Sequence, residues 1–450
     1  NPAGFFSVAP ERGGIPLGQR YRPGTMTVET RWSGLTVTDW LDTSVHEDET
    51  SELTVATADS TLIRVLSGHG KVRLEFAPRP EFGQVAVQLQ PAGDGLLVLG
   101  SNEPVALYSP GVEWQVESDG DRDTARAVVD LSAAGGEVSL ELRFGSHDLG
   151  HSGIAAKTRQ ENAERPWRDW AAGLKLPTVA RDLVMRSALT MRGLTHEATG
   201  SILAAATTSL PEEVGGVRNW DYRYCWLRDA AMTARALVDL GSLTEAEAFL
   251  RWVDGCVERS GGHPERLHPL YTVEGYELGA EAVIDTLPGY AGSRPVRVGN
   301  LANHQLQLDI FGPVADLIAA VADARGSVRP EEWGLLESMV QAVERRWHEP
   351  DHGIWEARLA PRHHVFSKVM CWMTVDRAVK MVERHGNGRS SAEWAALRDT
   401  IGADVLEHGW HEGVGAYSVA YGDADMDASS LWIGLSGLLP DDDPRFLATV

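Results

Sequence analysis

Two hydrophobic periods divide this chain, and the change between them constrains its fold more than any other feature. Up to about residue 155, apolar and polar residues alternate: "TMTVETRW" (25–32), "GLTVTDWL" (34–41), "KVRLEFAP" (71–78), "QVAVQLQP" (84–91), "GLLVLG" (95–100) and "EVSLELRFG" (137–145). A period of two sends successive side chains to opposite faces of a strand. Gly, Asp and Pro punctuate the runs, and no helical pattern separates them, so an antiparallel β-sandwich is expected. From about residue 158 the apolar spacing becomes helical. Nine helices are expected, over 161–174, 179–194, 227–240, 243–258, 301–325, 330–347, 366–385, 391–408 and 426–439. Their connections carry Gly, Pro and much of the Trp, the pattern of a helical barrel whose loops build a pocket at one end. A repeat superhelix would need a fixed-period sequence repeat, and none is visible. The expected domains are therefore residues 1–155 and 156–450.

Composition excludes several classes of partner. A net charge of −23 argues against nucleic acid and against an anionic membrane surface. No apolar run approaches the length of a membrane span. Three cysteines, Cys225, Cys256 and Cys371, are too few and too scattered for a disulfide framework or a zinc site. A reducing cytoplasm is the simplest compartment. Fifteen Trp against nine Tyr and nine Phe lean towards a carbohydrate-lined cleft, although large cores use Trp as well. No cofactor is expected, and homo-oligomerisation is left open. The chain begins at Asn1 rather than Met, so an N-terminal segment is expected to precede it.

Within the helical part, "VRNWDYRYCWLRDAAMTARALVDLG" (217–241) places Trp220, Tyr222, Tyr224 and Trp226 at alternate positions. From Leu227 the spacing turns helical. An extended aromatic loop thus delivers Arg228 and Asp229 to a helix N-terminus. Asp229 suits the macrodipole there, and Arg228 does not. A local ion pair is the plain explanation. The functional one is a guanidinium–carboxylate fork for sugar hydroxyls, with indoles stacking on the sugar's C–H faces. Four aromatics in seven residues favour the latter.

A second segment, "DHGIWEARLAPRHHVFSKVMCWMTVDRAV" (351–379), sets Glu356 beside Trp355 in a Gly-containing loop. A carboxyl against an indole has its charged form desolvated, which raises its pKa and equips it as a general acid. Acidic loop residues are common, so the bare sequence favours a solvated carboxylate. Other signals fail. His348 and His352 are four apart, but Pro350 and Gly353 break the helix that a zinc pair needs. Asp423, Asp425 and Asp427 imitate a calcium loop without its Gly and final Glu. Neither a phosphate-binding glycine loop nor a Gly-x-Ser-x-Gly elbow is present.

The blocks "RNWDYRYCWLRDA", "GYAGSRPVRVGNLANHQLQLDIFG" (289–312), "GIWEARLAPRHHVFSKVMCW" and "DMDASSLWIGLSGLLPDDDPRF" resemble, in order, the bacterial branch of glycoside hydrolase family 15. That family holds glucoamylases, glucodextranases and actinobacterial trehalases. "QRYRPGTMTVETRW" and "LTVTDWLD" extend the resemblance to the first strands. It implies a β-sandwich followed by an (α/α)6 barrel, and inverting release of glucose from a non-reducing end. Glu356 in "GIWE" matches the general acid, which reverses the plain reading of that residue. Arg228 and Asp229 match the pair that grips the terminal glucose, and Tyr222, Trp226 and Trp355 match aromatics around it. Arg294 and Arg297, before the 301–325 helix, are further candidates to face the pocket; Arg297 is taken as substrate-binding, with surface ion pairing as its alternative.

Inversion needs a second carboxylate about 6.5–9.5 Å from the acid. The resemblance puts that base on a late barrel loop, beyond Val450. With nine helices against twelve, the barrel is expected to be incomplete and the chain to lack both ends. Ala357 stands where fungal glucoamylases carry a second Glu, which shifts the expected substrate from starch towards trehalose. The expected partner is a small carbohydrate, α,α-trehalose ahead of α-glucan oligosaccharides. A phosphate-dependent disaccharide phosphorylase and a non-catalytic sugar-binding protein are the remaining alternatives.

Overall fold

The computed structural model describes residues 3–42, 60–386 and 390–450. The chain forms two compact units. One comprises Asn1–Gly173 and Val179–Thr190, the other Leu174–Thr178 and Met191–Val450.

The first unit is rich in antiparallel sheet. Its strands are β1 (Phe5–Pro10), β2 (Gly18–Tyr21), β3 (Val28–Trp32), β4 (Leu35–Asp42), β5 (Ser60–Gly68), β6 (Lys71–Ala77), β7 (Gln88–Ala92), β8 (Gly95–Leu99), β9 (Val105–Tyr108), β10 (Gln115–Ser118), β11 (Asp123–Asp130) and β12 (Glu137–Phe144). Eight form one sheet in the order β2-β3-β4-β5-β12-β9-β8-β7, and four form another in the order β1-β6-β11-β10. Alternation explains their faces. Leu35 and Val37 from the larger sheet share one core with Val72, Leu74 and Phe76 of β6 and with Ala125, Ala127 and Val129 of β11. The residues between them, such as Arg73 and Glu75, face outward. Six strands were legible as alternating runs; β1, β2, β5, β9, β10 and β11 were not.

Helix α1 (Ala156–Ala172) belongs to this same unit, as does much of α2 (Arg181–Gly193). Arg159 of α1 reaches Asp42 at 2.7 Å and Glu141 at 2.8 Å, all three buried. A buried guanidinium needs such paired carboxylates to offset its desolvation.

The second unit is helical. Its principal helices are α3 (Leu227–Asp239), α4 (Thr244–Arg259), α5 (Phe311–Arg325), α6 (Pro330–Arg346), α7 (Val365–His385) and α8 (Ala392–His408). Their apolar faces merge into one core through Leu227, Ala231, Phe249, Val314, Ile318, Met339, Met370 and Val405. Among the described residues, no helix is long and apolar enough to cross a membrane.

Two of the expected helices are corrected. The 301–325 run begins its α-helix only at Phe311, after 3-10 turns at Leu301–His304 and Leu308–Ile310. Between these turns the chain is extended, and Gln305, Gln307 and Asp309 turn their polar groups inward together. The 426–439 run holds only a 3-10 turn (Ala428–Leu431) and one α-turn, α9 (Trp432–Leu435). Gly434 there packs so closely on the Phe446 ring that a Cβ would lie 2.4 Å from it, and Gly437 takes φ +87°. A short α10 (Pro444–Thr449) follows, capped by the Asp443 carboxylate.

Candidate active site

The aromatic loop before α3 has a structural skeleton of its own. Asp221 is fully buried; its carboxylate accepts from Arg223 at 2.9 and 2.7 Å and from the Gly299 amide at 3.0 Å. This clamp ties the loop to the turn before the 3-10 segments. Interleaving Asp221 and Arg223 with aromatics therefore fixes the loop, and leaves Tyr222 and Trp226 to pack on each other with ring centroids 5.8 Å apart.

Trp226 ends that loop, and its indole Nε1 donates to Glu356 Oε1 at 2.7 Å, across 130 residues of sequence. The same oxygen accepts from Gln307 Nε2 at 3.1 Å and lies 3.5 Å from an Arg228 nitrogen. Gln305 holds the backbone beneath it, donating to the carbonyls of Glu356 at 3.0 Å and Ala357 at 3.4 Å. Three elements thus converge on one carboxyl oxygen.

The loop that carries Glu356 is built for this. Glu356 adopts φ +54°, a left-handed conformation that a non-glycine residue takes at a cost of about 1–3 kcal/mol. Gly353, at φ +68°, starts the same turn; a Cβ there would lie 2.7 Å from the His364 ring. The turn is anchored at Asp351, whose backbone pairs with Arg362 and whose carboxylate accepts from the Leu308 amide at 3.0 Å.

Electrostatics shifts Glu356 upward from the ordinary carboxylate range. Its side chain is one-fifth exposed, and desolvation raises its pKa against the opposing pull of Arg228, Gln307 and Trp226, with Asp229 adding a smaller upward push. Tyr222 is likewise pushed up, by burial and then by Glu212, Glu356 and Asp229. Behind the loop, burial and the neighbouring Asp309 push Asp351 up to about 7.

Arg228 sits at the centre and is itself buried. One guanidinium nitrogen donates to Asp309 Oδ2 at 2.9 Å and to Gln307 Oε1 at 3.0 Å; the other lies 3.4 Å from Asp229 and 3.5 Å from Glu356. Asp229 stays half exposed, beside that charge. Trp355 is 65% exposed and donates to Asp427 Oδ2 at 2.5 Å, while Asp427 Oδ1 caps the following turn.

Arg297 is engaged away from Glu356. It pairs with Glu281 at 3.2 Å, donates to the Val217 and Asn219 carbonyls, and lies over the Trp220 ring at 4.6 Å. Arg358, two residues after Glu356, also covers Trp220 and also pairs with Glu281. Through that shared indole and carboxylate, Arg297 braces the acid's loop instead of touching the acid. Arg294 is exposed.

Gln305, Gln307, Asp309 and Asp351 were not singled out from the sequence, and Asp427 was weighed only as part of an incomplete calcium loop. A signal for three of them existed: in "HQLQLDI" polar and apolar residues alternate within a run otherwise read as helical. Of the weak metal signals, Asp423 is paired with Arg362 and Asp427 with Trp355. Among the described residues, no group of three or more His, Cys, Asp or Glu side chains is placed to hold a metal ion.

Family models place the chain among the glycoside hydrolases. Residues 178–450 match glycosyl hydrolases family 15, and residues 1–167 match the trehalase-like N-terminal domain. The chain belongs to glycosyl hydrolase family 15. It is 34% identical over 471 residues to a trehalase of Mycobacterium tuberculosis, an alignment covering 100% of this chain and 68% of that one. A trehalase of Mycolicibacterium smegmatis is 34% identical over 468 residues, with 100% and 70% covered. A trehalase of Thermoplasma volcanium is 32% identical over 380 residues, with 84% and 59% covered.

Proposed function

We propose that the chain hydrolyses α,α-trehalose, with Glu356 as the general acid and inversion at the anomeric carbon. The observation that carries this is the convergence of Trp226, Gln307 and Arg228 on Glu356 Oε1 in a family whose curated relatives are trehalases. The donors pin one oxygen, and desolvation raises the carboxyl's pKa, the direction an acid needs to protonate a glycosidic oxygen. Asp229, half exposed beside Arg228, holds the hydroxyls of the non-reducing glucose, while Arg228 positions both carboxylates. Tyr222 and Trp355 supply C–H-facing walls, and Trp226, itself buried, backs Tyr222 and holds Glu356. Arg297 keeps the rim in place through Trp220 and Glu281. No residue of this chain is assigned as the water-activating base.

On this reading, residues 1–155 are a β-sandwich and residues 156–450 a helical catalytic domain of the (α/α)6 barrel type. The working partner is a small sugar.

The direct test is the product. The enzyme incubated with trehalose and followed by proton NMR in the first minutes should release β-glucose and α-glucose in equal amounts, because inversion frees one β anomer and leaves the other half α. Two α anomers would reject inversion, and turnover confined to maltooligosaccharides would move the substrate to α-glucans. Asp229→Ala should lower kcat/KM about ten- to hundredfold, with KM raised, since a charged hydrogen-bond partner of the sugar is worth about 1.5–3 kcal/mol. An unchanged KM would remove Asp229 from the sugar's grip.

A further inference from the structure

The Arg228 guanidinium faces three carboxyl groups. Asp309, fully buried, takes one nitrogen at 2.9 Å; Asp229 and Glu356 share the other at 3.4 and 3.5 Å. Gln307 touches both sides of this arrangement, accepting from Arg228 at 3.0 Å and donating to Glu356 at 3.1 Å. Gln307 ends the extended link and Asp309 lies two residues on, in the 3-10 turn Leu308–Ile310, so one short backbone segment sets both contacts. Asp309 reaches no part of the open cleft. Its role lies with Arg228.

We propose that Asp309 is a positioning residue: by holding one side of Arg228 it limits the positive charge felt at Glu356 and so preserves the acid's proton. This rests on the reading of Glu356 as general acid. An arginine remains charged in any protein environment, so the question is only where its charge is balanced. Burial pushes Asp309 up and Arg228 pulls it back, and the guanidinium nitrogen 2.9 Å from Oδ2 gives the carboxylate form its direct partner. With Asp309 neutralised, Arg228 would turn its full charge on Asp229 and Glu356, and an opposite charge at that range favours the carboxylate. The other groups facing this cluster are Tyr222 from the aromatic loop, Asp351 and His364 from the acid's own loop, and Lys368 and Cys371 from α7.

The test is the pH profile of kcat/KM on trehalose, whose basic limb reports loss of the acid's proton. Asp309→Asn should move that limb towards acid by about one pH unit, with about a tenfold loss above it. Gln307→Glu puts a carboxylate on Arg228 beside Glu356 and should move the limb the opposite way. α-Glucosyl fluoride, whose leaving group needs no proton, separates charge from structure. Asp309→Asn should lose far less on the fluoride than on trehalose. Equal losses on both substrates with the limb unmoved would overturn the proposal. If Asp309→Asn fails to fold by circular dichroism, Asp309→Ser, also neutral but smaller, decides: a limb shifted towards acid supports the charge balance and a fixed limb rejects it. Glu356→Gln run in parallel tells the two failures apart. Normal trehalose turnover in that variant would defeat the acid assignment itself, whereas its loss beside a fixed limb defeats only the role of Asp309.

Discussion

Glu356→Gln should lower kcat on trehalose by about 10²–10⁴-fold while leaving substrate affinity and the melting temperature close to those of the parent enzyme. The amide is nearly isosteric, so Trp226 Nε1 and Gln307 Nε2 keep an oxygen to donate to, and Gln305 still holds the backbone carbonyl. What the variant lacks is a proton to deliver. α-Glucosyl fluoride departs without one, so its hydrolysis should survive far better. A loss shared equally by both substrates would mean that Glu356 shapes the cleft instead of acting as the acid. The parent's basic limb should also lie above the ordinary carboxylate range, because desolvation raises Glu356 more than Arg228, Gln307 and Trp226 lower it. In stability terms, a carboxyl whose folded pKa is raised favours the fold below its unfolded value of about 4.3. That contribution is lost as pH rises towards the folded pKa. The fold is thus held in a less comfortable state at neutral pH than a solvated glutamate would give.

The switch from sheet to helix was legible because period-two alternation and helical spacing are local signals. Leu35 and Val37 face one core and Thr36 does not, for reasons contained in three residues. Two of the strands that escaped notice lack that contrast, β2 being exposed throughout and β9 mostly buried, whereas β11 alternates in burial and was missed all the same. The site behaved differently. Arg228 stood out because a guanidinium in the first helical turn opposes the macrodipole, yet its reason lies 81 residues away in Asp309 and 128 away in Glu356. Nothing in a single sequence encodes such a pairing. Glu356 was recovered only through resemblance, since a loop glutamate beside a tryptophan has no distinguishing local pattern. Its neighbour Trp355 in fact faces outward to Asp427, and the indole that contacts the carboxyl is Trp226. The desolvation argued from "WE" was sound chemistry attached to the wrong tryptophan. Gln305, Gln307 and Asp309 were hidden inside a run whose leucines and isoleucine also fit a helix. A two-residue period there, read as extended, would have turned all three towards one side.

Arg228→Met should be the most damaging single change to stability in the site. Removing the guanidinium leaves the fully buried Asp309 carboxylate without its ion-pair partner, and breaking a buried pair from one side costs about 3–5 kcal/mol. Methionine replaces the apolar stem without charge but stops at the level of Nε, so the loss is mainly electrostatic with a smaller cavity contribution. Its pH dependence has a definite sign. Without Arg228, burial raises the folded pKa of Asp309 further above its unfolded value of about 3.9. The fold then binds a proton more tightly than the unfolded chain, so the deficit relative to the parent should shrink as pH falls towards 4 and grow as pH rises. Denaturant titrations of the variant at pH 5 and pH 8 measure this directly. Arg228→Met with Asp309→Asn should recover most of the lost stability, because replacing both members of a buried pair removes the stranded charge. It should not recover trehalose turnover, since Asp229 and Glu356 still lack the cation that orients them. A double variant as unstable as Arg228→Met alone would show that the guanidinium's main contribution to the fold comes from contacts other than Asp309.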